Sequence, residues 1–444
     1  MNKEFHKKQN FFSFSDIDSE RKDRIMKFTS TEATPAPHVP PGVLRLTGAA
    51  KEDIPMYRIQ TMNKISPVGL NRFPSELYEV GDAVQDPQGI LVRSAKLLDL
   101  EFNPSLLAIA RAGVGVNNIP LDRCAAAGIP VFSTPGANAN AVKELVICAM
   151  LMGSRDIPGA IRWVREQAAS GADVSTVVEK GKSAFIGPEL YKKTLGIIGL
   201  GAIGSIVANT AISLGMDVYG YDPFLSVDTA LRLDRHVHVV KDINDLYKRS
   251  NYITMHIHYT EKTAHMIDAS AIAAMKRGVR VINLARGEIV DDEAMLTALD
   301  TGMVAAYITD FPNNRLLTAP HVIAMPHLGA STPESEQNCA AMAVDTLRDY
   351  LESGNIRSSV NLPEMTMDRS GVQRLCVLHK NVPGMLANIT SLFGRDGVNV
   401  ENLSNKSRGD YAYTMVDLGS KVGDNVIEDV RRTANVIRVR SLEW

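Results

Sequence analysis

From Met56 onward the apolar residues fall in short bursts closed by glycine, proline or charge, with longer stretches of helical spacing between them. YRIQTM, GILVRSA and IPVFSTP read as strands, FNPSLLAIARAG ends in another, and LDRCAAAG reads as a short helix. The run ANAVKELVICAMLMGSRD carries alanine and apolar residues on most of its surface, which predicts a helix buried between domains. TLGIIG, MDVYGYD, NYITMHI, VRVINLA, MVAAYITD and HVIAMPH follow as strands, separated by helical stretches such as SIVANTAISLG, DASAIAAMKRG and DDEAMLTALDTG. Alternation of this kind predicts an α/β protein with mostly parallel, doubly wound sheets and ligands beyond the C-terminal strand ends. Past the helix TPESEQNCAAMAVDTLRDYLESG the rhythm changes. RLCVLHK, VPGMLANITSLFGRDG, VNVENLS, YAYTMVDLG, VIEDVRRTA and VIRVRSL read in order as βαββαβ, a small ferredoxin-like unit.

The first 55 residues lack this rhythm. PAPHVPPG (Pro35 to Gly42) sustains neither helix nor ladder, and the preceding stretch mixes charges around a single apolar cluster, FFSF. The expectation is a disordered N-terminal extension over 1–55. A secretory signal would need a longer apolar run, and a mitochondrial presequence would avoid acids such as Asp16, Asp18, Glu20 and Asp23.

Composition narrows the partners. A chain of 444 residues, 45% apolar and 22% charged, can bury two or three ordinary cores. Its net charge of −2 offers no basic field for nucleic acid or an anionic membrane, and no apolar run approaches a membrane span. Small molecules and further copies of the chain are the expected partners. Cys124, Cys148, Cys339 and Cys376 are too scattered for a zinc site or a disulfide framework, so they are expected as reduced thiols in a cytoplasmic protein.

The strongest chemical signal is Gly199-Leu200-Gly201-Ala202-Ile203-Gly204, which follows one strand, opens a helix, and precedes a second strand ending at Asp222. Glycines there let the turn tighten and the backbone approach a pyrophosphate whose charge sits on the helix N-terminus. Asp222 lies where a carboxylate accepts the hydroxyls of an adenosine ribose and repels a 2′-phosphate, which favours NAD over NADP. Arg286, Asp310 and His327 each stand at or just past a predicted strand end. Alone, Arg286 could pair with Asp291 or Asp292, and His327 could be structural; together at the ligand edge they form a constellation.

ARAGVGVNNI, GLGAIG with Asp222, NLARGEIVDD, TDFP and PHLGASTPESE together resemble the D-2-hydroxyacid dehydrogenase family, and within it the enzymes of phosphoglycerate. The resemblance implies a substrate-binding domain over 56–135 and 329–352, an NAD-binding Rossmann domain over 136–328, a linker over 353–370 and an ACT regulatory domain over 371–444. It makes Arg286 the grip on the substrate carboxylate, His327 the acid/base, and Asp310 the partner of the nicotinamide carboxamide. It places Arg93, Ser94, Arg111, Gly113, Val114, Gly115 and Asn138 along the substrate cleft. Two arginines there suit the dianionic phosphate of 3-phosphoglycerate, although each could instead pair with an acid such as Asp99 or Glu101.

The implied activity is NAD-dependent oxidation of 3-phospho-D-glycerate to 3-phosphohydroxypyruvate, the first step of serine synthesis, in a homo-oligomer. Glycerate or 2-hydroxyglutarate are alternative substrates, and a non-catalytic NAD sensor is the alternative of another class. Similar residues form a serine site in ACT-bearing relatives, straddling two units joined edge to edge, and this implies L-serine as effector at His379, Asn381 and Asn399. Turn and cap roles are the other reading of those asparagines. Two departures stand out. His258 replaces a usual proline, and Asn313, Asn314 and Arg315 stand where the family places a glutamate that orients the histidine. A lost anion should leave His327 less basic, since an opposite charge shifts a pKa by about 1–3 units.

Overall fold

A computed structural model of the chain describes residues 56–444, so the expectation for 1–55 lies outside the described residues. The first sheet comprises β1 (Tyr57–Met62), β2 (Tyr78–Gly81), β3 (Gly89–Val92), β4 (Ala108–Arg111) and β5 (Val131–Phe132), in the order β2-β1-β3-β4-β5. All its pairings are parallel. Every residue of β3 is buried, as expected of a strand covered on both faces. The helix Pro333–Ser353 returns to this sheet, and its stripe of Ala340, Ala343, Val344, Leu347, Tyr350 and Leu351 packs on Ile59, Leu91 and Ala110. Thr332 caps its start, proline occupies its first turn, and Gly354 ends it at φ 76°.

The second sheet comprises β6 (Thr194–Ile198), β7 (Asp217–Tyr221), β8 (Val237–Val240), β9 (Tyr252–Met255), β10 (Val279–Asn283), β11 (Val304–Thr309) and β12 (Val322–Ala324). Its order is β12-β11-β10-β9-β6-β7-β8, again all parallel, so strand order reverses between β6 and β9 and opens a crevice there. The helix Ala139–Arg155 lays Val142, Val146, Ala149 and Met150 against Leu195, Ile197, Ile282 and Ile308. Its other face leaves Cys148 and Leu151 exposed, so the burial expected from its composition holds on one side only. No helix among the described residues is long and apolar enough to cross a membrane.

The third sheet is antiparallel: β13 (Gln373–Lys380), β14 (Val400–Arg408), β15 (Tyr411–Leu418) and β16 (Val436–Glu443), in the order β14-β15-β13-β16. Side chains alternate across it. Leu375, Val377, Val416 and Leu418 face the helices Met385–Arg395 and Asp424–Arg432, whereas Cys376, Leu378, Tyr413, Met415 and Leu442 join the core of the first sheet beside Tyr350, Leu351 and Ile356. Polar contacts tie the same seam. Arg374 and Asp417, both with fully buried side chains, pair at 2.5 Å, and Arg374 also donates to the carbonyls of Ser353, Met367 and Asp368. Arg440 donates to the carbonyls of Tyr350 and Leu351, and the Tyr413 hydroxyl to that of Gly354, so the last turn of helix Pro333–Ser353 is satisfied from the third sheet.

Candidate active site

The glycine turn after β6 has the form a dinucleotide requires. Gly199 sits at φ 90°, where an added Cβ would lie 2.6 Å from the His256 carbonyl oxygen, and a Cβ on Gly204 would lie 1.9 Å from that of Gly199. A Cβ on Gly201, by contrast, would meet nothing within 4 Å, so its backbone faces open space at the start of helix Ala202–Ser213. Ala202 and Ile203 form that first turn. Asp222 accepts from the Leu200 N–H and the Phe224 N–H, both at 2.9 Å, which fixes its carboxylate over the turn. Gly136 brings a second loop against this helix start, its added Cβ falling 3.2 Å from the Ala202 Cβ.

On the other side of the crevice three guanidiniums gather. Asn283, at the end of β10, donates to the Arg286 carbonyl and accepts from the Ala285 N–H, which clamps the turn carrying Arg286. The Arg286 side chain donates to the Ala285 carbonyl and lies over the Phe311 ring, 5.7 Å from its centroid. Asp291 caps the next helix and Asp292 accepts from Asn313, so neither acid holds Arg286.

The loop Gly113–Val114–Gly115 closes on these arginines. A Cβ on Gly115 would lie 3.2 Å from Arg286 Nη2, and one on Gly113 would lie 2.7 Å from Arg111 Nη1. Arg111 donates to the Arg93 carbonyl, and Arg93 pairs with Glu336 at 2.5 Å. Burial, together with repulsion from Arg286 and Arg93, pulls Arg111 below its usual range. Ser94 and Ala95 donate their N–H groups to Asn63, which sits at φ 75° and shapes the loop after β3.

Asp310, at the end of β11, is 1% exposed. One carboxylate oxygen accepts from the Gly329 N–H at 3.2 Å, and the other is buried without a partner. Burial pushes this carboxyl above its usual range, against the opposing pull of the Gly329 N–H and the nearby His327. The His327 ring is exposed and packs on Phe311 with centroids 4.5 Å apart. Among the described residues no carboxylate forms an ion pair with it. The amide oxygen of Asn313 accepts from the Arg315 and Leu316 N–H groups while its nitrogen donates to Asp292 at 2.6 Å. That side chain therefore organises its own loop and does not address the histidine.

An open cavity of about 620 Å³ lies beside Gly287 and Phe311, lined by His265, Glu288, Asp292 and Arg315 among others. His256 bonds Thr254, and burial pushes its pKa down to about 4, so it is neutral; His258 is exposed. Asn138 and Thr134, beside the glycine turn, each keep a buried oxygen without a partner. Together with the free Asp310 oxygen, these acceptors and the open Gly201 backbone fit a bound dinucleotide that supplies amide and hydroxyl donors.

The three residues expected to gather in the small unit do not meet within one chain. His379 is buried, bonded to Thr414 and to the Lys380 carbonyl, each at 2.8 Å, and Asn381 donates to the Gly409 carbonyl. Asn399 donates to Glu401. Lys380 pairs with Tyr411, whereas Val400 pairs with Leu418, so Asn399 stands at the opposite end of the sheet from His379. Sequence reasoning also missed Glu336 and Asn283; PHLGASTPESE held the first, but only its helix-starting role was legible.

Residues 147–329 match the family described as D-isomer specific 2-hydroxyacid dehydrogenase, NAD binding domain. The chain is 35% identical over 326 residues to D-3-phosphoglycerate dehydrogenase of Synechocystis sp., covering 71% of this chain and 56% of that protein. It is 31% identical over 379 residues to D-3-phosphoglycerate dehydrogenase of Haemophilus influenzae, covering 82% of this chain and 88% of that one. Among solved structures, NAD+-bound 3-phosphoglycerate dehydrogenase of Entamoeba histolytica superposes with a TM-score of 0.54 at 26% identity, over 69% of this chain and 99% of that one. With two parallel sheets, a glycine turn at the crevice of the second and these relatives, the chain belongs to the D-isomer-specific 2-hydroxyacid dehydrogenase family.

Proposed function

We propose that the chain oxidises 3-phospho-D-glycerate to 3-phosphohydroxypyruvate with NAD, the first step of serine synthesis. One observation carries this reading above others: Arg111 and Arg286 meet at the loop Gly113–Gly115, Arg93 lies near enough to repel Arg111, and among the described residues only Arg93 of the three has a carboxylate partner. So much unbalanced positive charge suits a substrate with both a carboxylate and a phosphate. Arg286 grips the carboxylate with two parallel N–H donors and orients C2 toward the cofactor. NAD supplies the hydride acceptor, with its pyrophosphate on the turn Gly199–Gly204, its ribose on Asp222 and its carboxamide on the partnerless oxygen of Asp310. A ring nitrogen of neutral His327 takes the C2 hydroxyl proton.

The small unit acts as an ACT module that binds L-serine and inhibits. Since His379 and Asn381 lie at one sheet end and Asn399 at the other, the site needs two copies meeting along the exposed edge strand β14. Self-association has further support in the helices Ile157–Ala169 and Val174–Gly181, which bury no residue and expose Ile157, Ile161 and Val164.

NADH absorbance over a panel of 2-hydroxyacids tests the reading, with 3-phosphoglycerate expected to give the highest kcat/KM. A preference for glycerate or 2-hydroxyglutarate would replace the substrate. Turnover of none, with NAD bound, would favour the non-catalytic sensor that the carboxylate-free loop Asn313–Arg315 also suits.

A further inference from the structure

We infer that Glu336 is a specificity-determining residue that competes with the substrate phosphate for Arg93. The inference rests on the proposed phosphorylated substrate. Of the three converging arginines, Arg111 and Arg286 have no carboxylate within salt-bridge distance among the described residues, whereas Arg93 is held by Glu336 at 2.5 Å. This acid is well anchored. It stands in the first turn of helix Pro333–Ser353, which Thr332 caps and whose buried stripe is locked into the core of the first sheet.

The pair is nevertheless exchangeable. Its side chains are 45% and 43% exposed, so both groups stay largely hydrated and their attraction is weak. The buried pair Arg374–Asp417, at 0% exposure, marks the contrast within the same chain. An incoming phosphate brings a charge of about −1.5 to −2 and three acceptor oxygens against the single charge of Glu336. It can therefore displace the carboxylate, while the uncharged hydroxymethyl group of an unphosphorylated acid cannot. The resting site thus offers two free guanidiniums for one carboxylate and keeps the third for a doubly charged group. Glu336 acts through Arg93 and touches no reacting atom.

The test compares wild type, Glu336→Gln, Arg93→Ala and the double variant in steady state with 3-phosphoglycerate and with D-glycerate, at saturating NAD. Removing the competitor should lower KM for 3-phosphoglycerate by about two- to five-fold, the range of an exposed pair, with kcat and the glycerate KM unchanged. In the Arg93→Ala background the glutamine should have no effect. Equal shifts for both substrates would show a general field and overturn the inference. A raised KM for 3-phosphoglycerate would show that Glu336 orients Arg93, and an unmoved one that it is inert; either overturns it. Wild type that turns over glycerate and no phosphorylated acid would sink the proposed substrate and this inference together, a different outcome from turnover of phosphoglycerate that ignores Glu336.

Discussion

Placing one methyl group on Gly115 should disable substrate recognition while leaving the fold and the cofactor site intact. The backbone there is not in the left-handed region, so alanine brings no backbone strain. What it brings is a Cβ 3.2 Å from Arg286 Nη2 and 3.8 Å from Arg111 Nη1. The first distance is shorter than ordinary van der Waals contact, so the Arg286 guanidinium must retreat by a few tenths of an ångström. It has little room, because the Ala285 carbonyl and the Phe311 ring already hold it. A bidentate grip tolerates such rotation poorly, and misplacement approaching 1 Å costs about 100-fold. We expect kcat/KM to fall about 10- to 100-fold, or about 1.4–2.7 kcal/mol. NAD affinity from fluorescence titration and the thermal midpoint should stay near wild type. Gly287→Ala is the control, since its Cβ would lie 3.4 Å from the Phe311 Cβ, an ordinary contact. Activity of Gly115→Ala within about two-fold of wild type would mean that Arg286 has slack or does not hold the substrate.

Asp222→Ala should narrow the preference for NAD over NADP in paired kcat/KM measurements, since it removes a ribose acceptor and the charge opposing a 2′-phosphate. An unchanged ratio would put the ribose elsewhere. Asn314→Glu, which spares the three hydrogen bonds of Asn313, returns a carboxylate to the loop that lacks one, where it should favour the imidazolium form of His327. Because oxidation needs the neutral ring, the acidic limb of the kcat/KM profile should move to higher pH, and an unmoved limb would mean that the new carboxylate does not reach the ring. Asp417→Asn leaves the fully buried Arg374 without its counter-charge and should cost about 3–5 kcal/mol in denaturant unfolding. A loss below about 1 kcal/mol would show that the Ser353, Met367 and Asp368 carbonyls suffice.

The elements most legible in the sequence were those whose chemistry is local. The glycine turn announced itself because Gly199 and Gly204 admit no side chain, and β10 and β11 did so because their runs are almost wholly buried. Edge strands β2 and β8 escaped, being four residues each with exposed positions that break the apolar pattern. The helices Ile157–Ala169 and Val174–Gly181 bury nothing in this chain, so no core defines them. Site contacts between distant residues were hidden for a different reason. Arg93 and Glu336 are 243 residues apart, and only the return of helix Pro333–Ser353 to the first sheet joins them. That His379 and Asn399 stand at opposite ends of the sheet was likewise hidden, because strand register, not their spacing in the sequence, sets it.

The shared core of the first and third sheets bears on how the chain is made. β1 is translated well before the side chains that finish covering its sheet, which run from Ala340 to Leu442. At about 5–20 residues per second, the first sheet waits roughly 20–80 s with an open apolar face. Such a nascent chain is a natural client for chaperones. A product that stopped short of β13 would keep Tyr350, Leu351 and Ile356 uncovered, so premature termination should yield aggregation.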